Sequence, residues 1–202
     1  MSQQVQGPCP ECGCDYVRGL ASDERQHKQL HDLVVNGCKT KLPDGCHIVT
    51  HRSGMAQQRL AQAAASQALY ETEYDFTSFS AAEFGHDEHE TIAVIYVKGG
   101  RVCALVVTRQ RRCEWKLQLE DIANKCLTNS EKVPLHTRRA VDMIWVLKSS
   151  RRQGIATSIV RKLAEHCKIS VDSLAHLPPM SDAAISLWRS LRLSTVYRAY
   201  SF

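Results

Sequence analysis

The sequence predicts an α/β (α+β) protein with a mixed central sheet, preceded by a small metal-binding element with two cysteines and two histidines. Three features indicate this fold class. The first forty residues are rich in Cys and His, two β-branched runs in the middle form a hairpin pattern, and a later apolar strand leads through an arginine- and glycine-containing turn into a helix. We expect the metal-binding element to span residues 1–38 and the main domain to span residues 39–202.

The composition is that of a folded protein. The 202 residues are 44% hydrophobic and 23% charged, which excludes wholesale disorder and suits one mid-sized domain with a small appendage. No apolar run is long enough to span a membrane and the N-terminus lacks an apolar signal core, so we expect a soluble, intracellular protein that does not bind membranes. Nine cysteines, an odd number, argue against a disulfide framework and for metal ligands beside reduced thiols.

The net charge of +5 is mildly basic and gives weak support for an anionic partner. The positions of the charges are more informative, because the arginines form three groups along the chain. We expect most of them to lie on solvated faces. The arginines concerned are Arg109, Arg111, Arg112, Arg138, Arg139, Arg151 and Arg152.

Local patterns predict the other elements in order. A helix is expected from about Asp23, whose carboxylate would accept from first-turn amides, to Val35, just before an Asn-Gly stop. Residues 78–90 are polar and expected to form a loop, and the charged residues 109–139 give no assignment. The remaining predictions are strands at His47–Thr50, Ile92–Val97, Val102–Thr108, Ala140–Leu147 and Ser194–Ser201, and helices at Met55–Tyr70, Gly154–Cys167 and Asp182–Leu191.

Four residues near the N-terminus have the spacing of zinc ligands. Cys9 and Cys12 enclose a tight turn, and His27 and His31 follow after fourteen residues, one helical turn apart on one face. Two thiolates and two imidazoles complete a tetrahedral site without an open position, which is the pattern of structural Zn²⁺. Cys14 is a competing ligand with a poorer geometry. The gap is longer than in tandem DNA-binding fingers. Because a single finger reads only about three base pairs and binds DNA weakly, we expect the element to dock on or stabilise the main domain.

The junction between the predicted strand at Ala140–Leu147 and the following helix has the chemistry of an anion cradle. Backbone amides of the turn and the helix N-terminus attract negative charge, and Arg151 and Arg152 add cationic donors. Gly154 permits close backbone approach and the small Ala156 leaves room for a diphosphate. This Arg-x-x-Gly-x-Ala pattern resembles the pyrophosphate loop of acetyl-CoA-dependent N-acetyltransferases of the GNAT superfamily, which implies a GNAT fold for the main domain.

The combination of a zinc element with a GNAT domain resembles the sister-chromatid cohesion acetyltransferases, which acetylate lysines on a structural-maintenance-of-chromosomes subunit of cohesin. The resemblance spans most of the chain, whereas residues 109–139 and the C-terminus match poorly. It is carried by Cys9–Gly13, Tyr16, Asp23, His27, His31, Leu42–Gly45, the hairpin at 92–108, Ile144, Trp145, Val146, Arg151, Arg152, Ile155 and Ala156.

The resemblance implies acetyl-CoA as co-substrate and Zn²⁺ as a structural ion. It places three sets of residues against acetyl-CoA: strand residues beside the pantetheine arm, a loop around the pyrophosphate and part of the last helix beside the thioester. The strand residues are Ile144, Trp145 and Val146, the loop residues are Arg151, Arg152, Gln153, Gly154, Ile155, Ala156 and Thr157, and the helix residues are Ala184, Ile185 and Ser186.

A lysine acceptor must lose a proton before it attacks the thioester, so the chemistry requires a base. The family uses a serine, a glutamate and an aspartate, and a gap-free alignment places these at Asp142, Arg161 and Asp182, so that only the aspartate is preserved. Asp182 is the first candidate for the base, Asp142 the second and Glu165 the third. The backbone amide of Val146 is the candidate donor to the tetrahedral oxyanion.

The function expected from the resemblance is nuclear protein-lysine acetylation of a cohesin subunit, which establishes sister-chromatid cohesion. Chromatin-associated replication proteins are further candidate partners, and we expect weak or no direct DNA binding. One alternative is a GNAT acetyltransferase with another acceptor, such as a histone, another protein or a small amine. The other is a zinc-finger module that binds nucleic acid through the arginines at 109–112, on a degenerate GNAT scaffold.

Overall fold

The N-terminal element is a ββα unit in the computed structural model, which describes residues 5–72, 90–125, 130–177 and 180–199. Strands β1 (Val5–Pro8) and β2 (Asp15–Arg18) pair antiparallel and precede helix α1 (Ala21–Asn36). The sequence showed little strand pattern here, because a hairpin this short and half-exposed carries no alternating apolar residues.

Asp23 has a different role from the expected one. The helix begins two residues earlier than expected, and the Asp23 carboxylate accepts from the backbone amide of Val17 in β2 instead of a first-turn amide. Glu24 does the same for the amide of Gly19 at 2.9 Å. Both acids therefore fasten the hairpin to the helix, a tertiary contact that a local capping pattern does not reveal.

A mixed sheet forms the centre of the main domain. Within the described residues it has seven strands, in the order β4-β5-β6-β7-β8-β9 with β3 beside β6, and only the β7–β8 and β8–β9 pairs are parallel. The strands are β3 (Cys38–Lys39), β4 (Gly45–Val49), β5 (Ile92–Lys98), β6 (Arg101–Gln118), β7 (Ser130–Val146), β8 (Ala175–His176) and β9 (Thr195–Ala199).

In the unassigned stretch, residues 109–118 and 130–139 belong to the paired strands β6 and β7, which form a long β6–β7 hairpin, and the short helix α3 (Leu119–Ala123) follows β6. The charges that obscured the strand pattern are partly paired inside the sheet, as described below. The loop expected at 78–90 lies outside the described residues except for Glu90, and so do Tyr200 and Ser201 of the expected last strand.

Three helices cover the two faces of the sheet. Helix α2 (Met55–Thr72) packs on one face, where Ala61, Ala64, Ala65 and Ala68 are buried and allow a close approach to the sheet. Helices α4 (Ile155–Cys167) and α5 (Asp182–Ser190) pack on the other face. Among the described helices, none has the length and apolar character that crossing a bilayer requires.

The zinc element docks on the main domain through the C-terminal half of α1. Arg101 at the start of β6 donates to the Asp32 carboxylate at 2.9 Å and to the carbonyl of Gly37 at 3.0 Å. Arg101, with Asn36 and Lys39, holds the pKa of Asp32 well below its usual range. The buried Gln67 of α2 donates to the carbonyl of Val34 at 3.3 Å.

Gly37 ends α1 at a left-handed φ of 83°, and a Cβ there would overlap the backbone carbonyl of Val102. We expect Gly37→Ala to lower the free energy of unfolding by about 2 kcal/mol or more, because strain and steric overlap add. Thermal denaturation measures this. Gly54→Ala is the matched control, since its Cβ would meet no atom within 4 Å and its φ is not left-handed. An equal loss in both variants would contradict the prediction.

Candidate functional site

The four predicted zinc ligands lie together. Their donor atoms are all within 4.8 Å of one another. Cys9 Sγ lies 3.5 Å from His31 Nδ1, and Cys12 Sγ lies 3.4 Å from His27 Nε2. A tetrahedral Zn²⁺ with ordinary Zn–S and Zn–N bonds separates sulfur and nitrogen ligands by about 3.5 Å. The spacing and chemistry of this donor set therefore fit Zn²⁺.

Neighbouring groups orient these ligands. The ring of Tyr16 stacks on the ring of His27, with centroids 3.8 Å apart and planes 5° apart. Glu11 accepts from His31 Nε2 at 3.2 Å, which directs Nδ1 of the same ring toward the site. Backbone amides of Cys12 and Glu11 lower the pKa of the Cys9 thiol to about 6. The loop thus favours a thiolate at Cys9 and a defined tautomer at His31.

Cys14, the competing ligand, is engaged elsewhere. Its thiol accepts from the Tyr70 hydroxyl on α2 at 2.9 Å. Because Cys14 is buried and contacts the main domain, it contributes to docking of the zinc element. It does not belong to the four-residue cluster.

A fork between two strands forms the second candidate site. Strand β7 pairs with β8 only at Ala140–Ala175 and Val141–His176. Val107 pairs with Met143 and Thr108 with Val141, so Asp142 is an extra, bulged residue on β7. Beyond this bulge, among the described residues, no strand pairs with the outer edge of Met143–Val146. The bulge therefore marks the closed end of an open cleft between β7 and β8.

Three residues of β7 are predicted to lie beside the pantetheine arm, and two of them present backbone groups to this cleft. The amide of Leu147 donates to the carbonyl of Cys103 at 2.8 Å, and backbone pairing alternates along an antiparallel strand. Ile144 and Val146 therefore direct their amides and carbonyls away from β6, into the cleft. The backbone of Trp145 faces β6, and its side chain packs on the α2 side.

The predicted pyrophosphate loop lies at the mouth of the same cleft. Gly154 precedes α4 with a left-handed φ of 75°, and a Cβ there would meet no atom within 4 Å. No described side chain caps the first turn of α4, and no acidic residue lies in that turn. Exposed Arg152 and Gln153 flank the open amides of Ile155, Ala156 and Thr157. This uncapped, basic helix start fits a diphosphate.

Arg151 has an additional contact that its loop position does not predict. Its Nε donates to the carbonyl of Val146 at 2.9 Å, and its Nη2 lies 3.5 Å from Glu71 Oε2. The side chain is thus turned along the cleft edge, with half of its surface exposed, and it joins the loop to α2.

The predicted residues of α5 differ in exposure. Ile185 is buried in the core between α4 and α5, whereas Ala184 is half-buried and Ser186 exposed. Ser181 caps the helix by accepting from the amide of Ala184 at 3.2 Å. The cap role is therefore filled by Ser181, and Asp182 is an exposed carboxylate in the first turn.

The other two candidate bases have ionic partners. Asp142, 8% exposed, accepts from Arg111 Nε at 3.2 Å and Nη2 at 2.9 Å, and Arg109 Nη1 lies 3.4 Å away. Glu165 pairs with Lys162 at 3.1 Å on the exposed side of α4, near the end of that helix away from the pyrophosphate loop. Arg161 is exposed on α4.

The arginine groups are less solvated than expected. Arg109 and Arg111 face Asp142, and Arg139 pairs with Glu90 at 2.8 Å with only 6% of its side chain exposed. The expectation of solvated faces was wrong for these three, because each is drawn to an acid that the fold brings close. Arg109 and Arg111 are thus engaged by a buried carboxylate.

Glu71 is a residue of this site that the sequence analysis missed. Its carboxylate, 11% exposed, accepts from the indole of Trp145 at 2.9 Å and faces Arg151. Glu71 thus connects α2 both to β7 and to the predicted pyrophosphate loop. In the sequence, Glu71 is distinguished as the single acid in an alanine-rich helix, with the polar Gln67 one helical turn earlier.

Comparisons with known proteins agree with this geometry. The family model for the zinc-finger of the acetyl-transferase ESCO matches residues 1–33, and the Acetyltransferase (GNAT) family model matches residues 58–191. No curated protein sequence gives a match. Among solved structures, the xEco2 acetyltransferase domain bound to a lysine–CoA conjugate is similar, with a TM-score of 0.59, 14% identity and coverage of 81% of this chain and 95% of that chain.

The xEco2 acetyltransferase domain without the conjugate matches with a TM-score of 0.57, 13% identity and coverage of 82% of this chain and 98% of that chain. These likenesses establish the fold. Together with the two family models, they confirm the predicted resemblance, a zinc finger of the cohesion-acetyltransferase type joined to a GNAT domain. Acetyl-CoA is the co-substrate of this domain type, and a structural Zn²⁺ suits its finger.

The zinc cluster makes a specific prediction about the thiols. Cys12→Ser should lose bound zinc, because the variant removes one of four ligands, whereas Cys14→Ser should keep it. Elemental analysis of purified protein gives the zinc content per chain. Zinc loss from the Cys14 variant with retention in the Cys12 variant would reverse the assignment.

Proposed function

This chain belongs to the GNAT acetyltransferase family, and we propose that it transfers the acetyl group of acetyl-CoA to a lysine on a structural-maintenance-of-chromosomes subunit of cohesin, in the nucleus. One observation carries the proposal: a zinc finger of the ESCO type is docked on the GNAT domain of the same chain. The solved domain with similar fold that holds a lysine–CoA conjugate supports a lysine acceptor.

The docked position of the finger supports a role in the enzyme over a role in reading DNA. A DNA-reading finger inserts its helix into the major groove. Here the C-terminal half of α1 faces the main domain, with Val34 buried and Asp32 bound to Arg101. The same helix contacts the Lys148–Ser150 turn that leads into the pyrophosphate loop. We therefore assign the finger to docking and support of the catalytic domain.

The geometry favours Asp182 as the base. Both oxygens of the buried Asp142 accept from Arg111, so this carboxylate is held in an ion pair, and Glu165 lies toward the far end of α4. Asp182 is exposed and lies two residues before Ala184, which is predicted to line the thioester. An acceptor ammonium could pass its proton to this carboxylate directly or through one water. The amide of Val146, which faces the cleft, is the donor to the oxyanion.

We expect Asp182→Asn to lower kcat by about 100-fold or more, because the amide cannot accept the proton. The KM for acetyl-CoA should stay the same, since the pyrophosphate loop and the cleft edge are unchanged. Steady-state kinetics with an acceptor peptide measure both constants. Asp172→Asn, a change at another exposed aspartate, is the matched control and should behave as wild type. Near-normal turnover of the Asp182 variant would remove it from the catalytic role.

The acceptor is tested by incubating the full chain and acetyl-CoA with a cohesin head fragment, beside histone and small-amine controls. Mass spectrometry should find acetyl-lysine on the cohesin fragment, and the Asp182→Asn variant should lose most of it. The second candidate function is acetylation of another acceptor, which is favoured by Arg161 at the position of the family's glutamate. Modification of histone or amine without modification of the cohesin fragment would establish that candidate instead.

A further inference from the structure

Arg151 holds a backbone acceptor on the open edge of β7. Its Nε donates to the carbonyl of Val146 at 2.9 Å. Ile144 and Val146 are the two residues of β7 beyond the bulge whose amides and carbonyls face the cleft. One of the two carbonyls on this edge is therefore bonded to a side chain of the chain itself. A ligand that uses the carbonyl of Val146 has to displace Arg151.

The pantetheine arm of coenzyme A is a ligand of this kind. It contains two amide groups, and each amide carries one N–H donor. An amide N–H that leaves water without finding an acceptor is unfavourable, so an arm that enters the cleft needs carbonyl partners. An arm that lies along the edge of β7 meets the carbonyls of Ile144 and Val146. A pantetheine amide and Arg151 consequently compete for the carbonyl of Val146.

Glu71 on α2 favours Arg151 in this competition. Arg151 Nη2 lies 3.5 Å from Glu71 Oε2, and the same oxygen accepts from the indole of Trp145 at 2.9 Å. The other carboxylate oxygen accepts from the side chain of the buried Gln67 at 3.4 Å. Glu71 is thus held on both sides and only 11% of its side chain is exposed. A fixed and largely desolvated carboxylate attracts a guanidinium more strongly than a mobile surface acid does.

We propose that Glu71 is a positioning residue that sets the affinity for coenzyme A, because it holds Arg151 on the carbonyl of Val146. The ion pair to Glu71 adds to the hydrogen bond from Arg151 Nε, and both are given up when a pantetheine amide takes the carbonyl. Glu71 therefore acts through Arg151. This inference rests on the acetyl-CoA part of the proposed function and is independent of the acceptor.

The proposal has a thermodynamic and a kinetic consequence. Only molecules in which Arg151 has left the carbonyl accept the pantetheine arm, so the apparent affinity is reduced in proportion to the fraction of such molecules. Loss of the charge on Glu71 raises this fraction. Association of coenzyme A should then become faster, whereas dissociation should keep its rate, since the bound complex no longer contains the contact between Arg151 and Glu71.

The first test is isothermal titration of CoA into the full chain. Glu71→Gln removes the charge and keeps an oxygen for the indole of Trp145, and it should bind CoA about three- to fivefold more tightly than wild type, as expected from one partly exposed ion pair. Stopped-flow measurements should find the gain in the association rate. Glu120→Gln is the matched control, because Glu120 pairs with Arg189 at 2.7 Å elsewhere in the fold, and it should bind CoA as wild type does.

The second test separates the pantetheine arm from the phosphates. Adenosine 3′,5′-bisphosphate lacks the arm, so Glu71→Gln should leave its affinity unchanged. Arg151→Leu frees the same carbonyl and should likewise raise the ratio of CoA affinity to bisphosphate affinity, although it removes a cation from the loop. In the double variant, Glu71→Gln should add nothing to this ratio, because the two side chains act as one unit.

Three results would overturn the proposal. They are unchanged or weaker CoA binding by a folded Glu71→Gln variant, an equal gain for CoA and the bisphosphate, and a gain from Glu71→Gln that persists beside Arg151→Leu. If Glu71→Gln does not fold in a thermal denaturation control, an unchanged affinity ratio in Arg151→Leu overturns the proposal by itself. Failure of wild type to bind CoA would instead overturn the acetyl-CoA function.

Discussion

The extra residue that Asp142 adds to β7 determines the arrangement of the catalytic domain. It ends the pairing with β8 at Val141, turns the amides of Ile144 and Val146 toward an open cleft, and leaves His176 at the closed end. Burial of the Asp142 carboxylate in the bulge is unfavourable unless the charge is paired. The guanidinium of Arg111 pairs it through two hydrogen bonds. Asp142, which the sequence offered as a candidate base, therefore stabilises the bulge at the closed end of the cleft.

The zinc finger and helix α2 support the same cleft from the other face. Asp32 and the carbonyl of Gly37 bind Arg101, which begins β6, the partner strand of β7. Glu71 on α2 binds Trp145 on β7 and faces Arg151. A short series of contacts thus connects the zinc element and α2 to β7, the strand that borders the cleft. This arrangement joins the finger to the strand that borders the cleft.

The features predicted from the sequence are those that depend on local spacing. Cys9 and Cys12 are three residues apart, and His27 and His31 are four residues apart. Gly154 lies in the turn just before the helix that follows the apolar strand. Each of these patterns can be recognised within a few residues. Residues 109–139 were unassigned because their charges are paired across strands, as in Arg111 with Asp142. Glu71 likewise acts through Trp145 and Arg151, partners that lie far away in the sequence. A single sequence without contacts does not reveal such partners.

Amide hydrogen exchange with and without CoA tests the central claim, that the unpaired edge of β7 receives the cofactor. Saturating CoA should slow exchange at the amides of Ile144 and Val146 and at residues 155–157. It should leave the outer half of the β6–β7 hairpin, residues 115–118, unchanged. Unaltered exchange at Ile144 and Val146 under saturating CoA, or protection confined to that hairpin, would contradict this account.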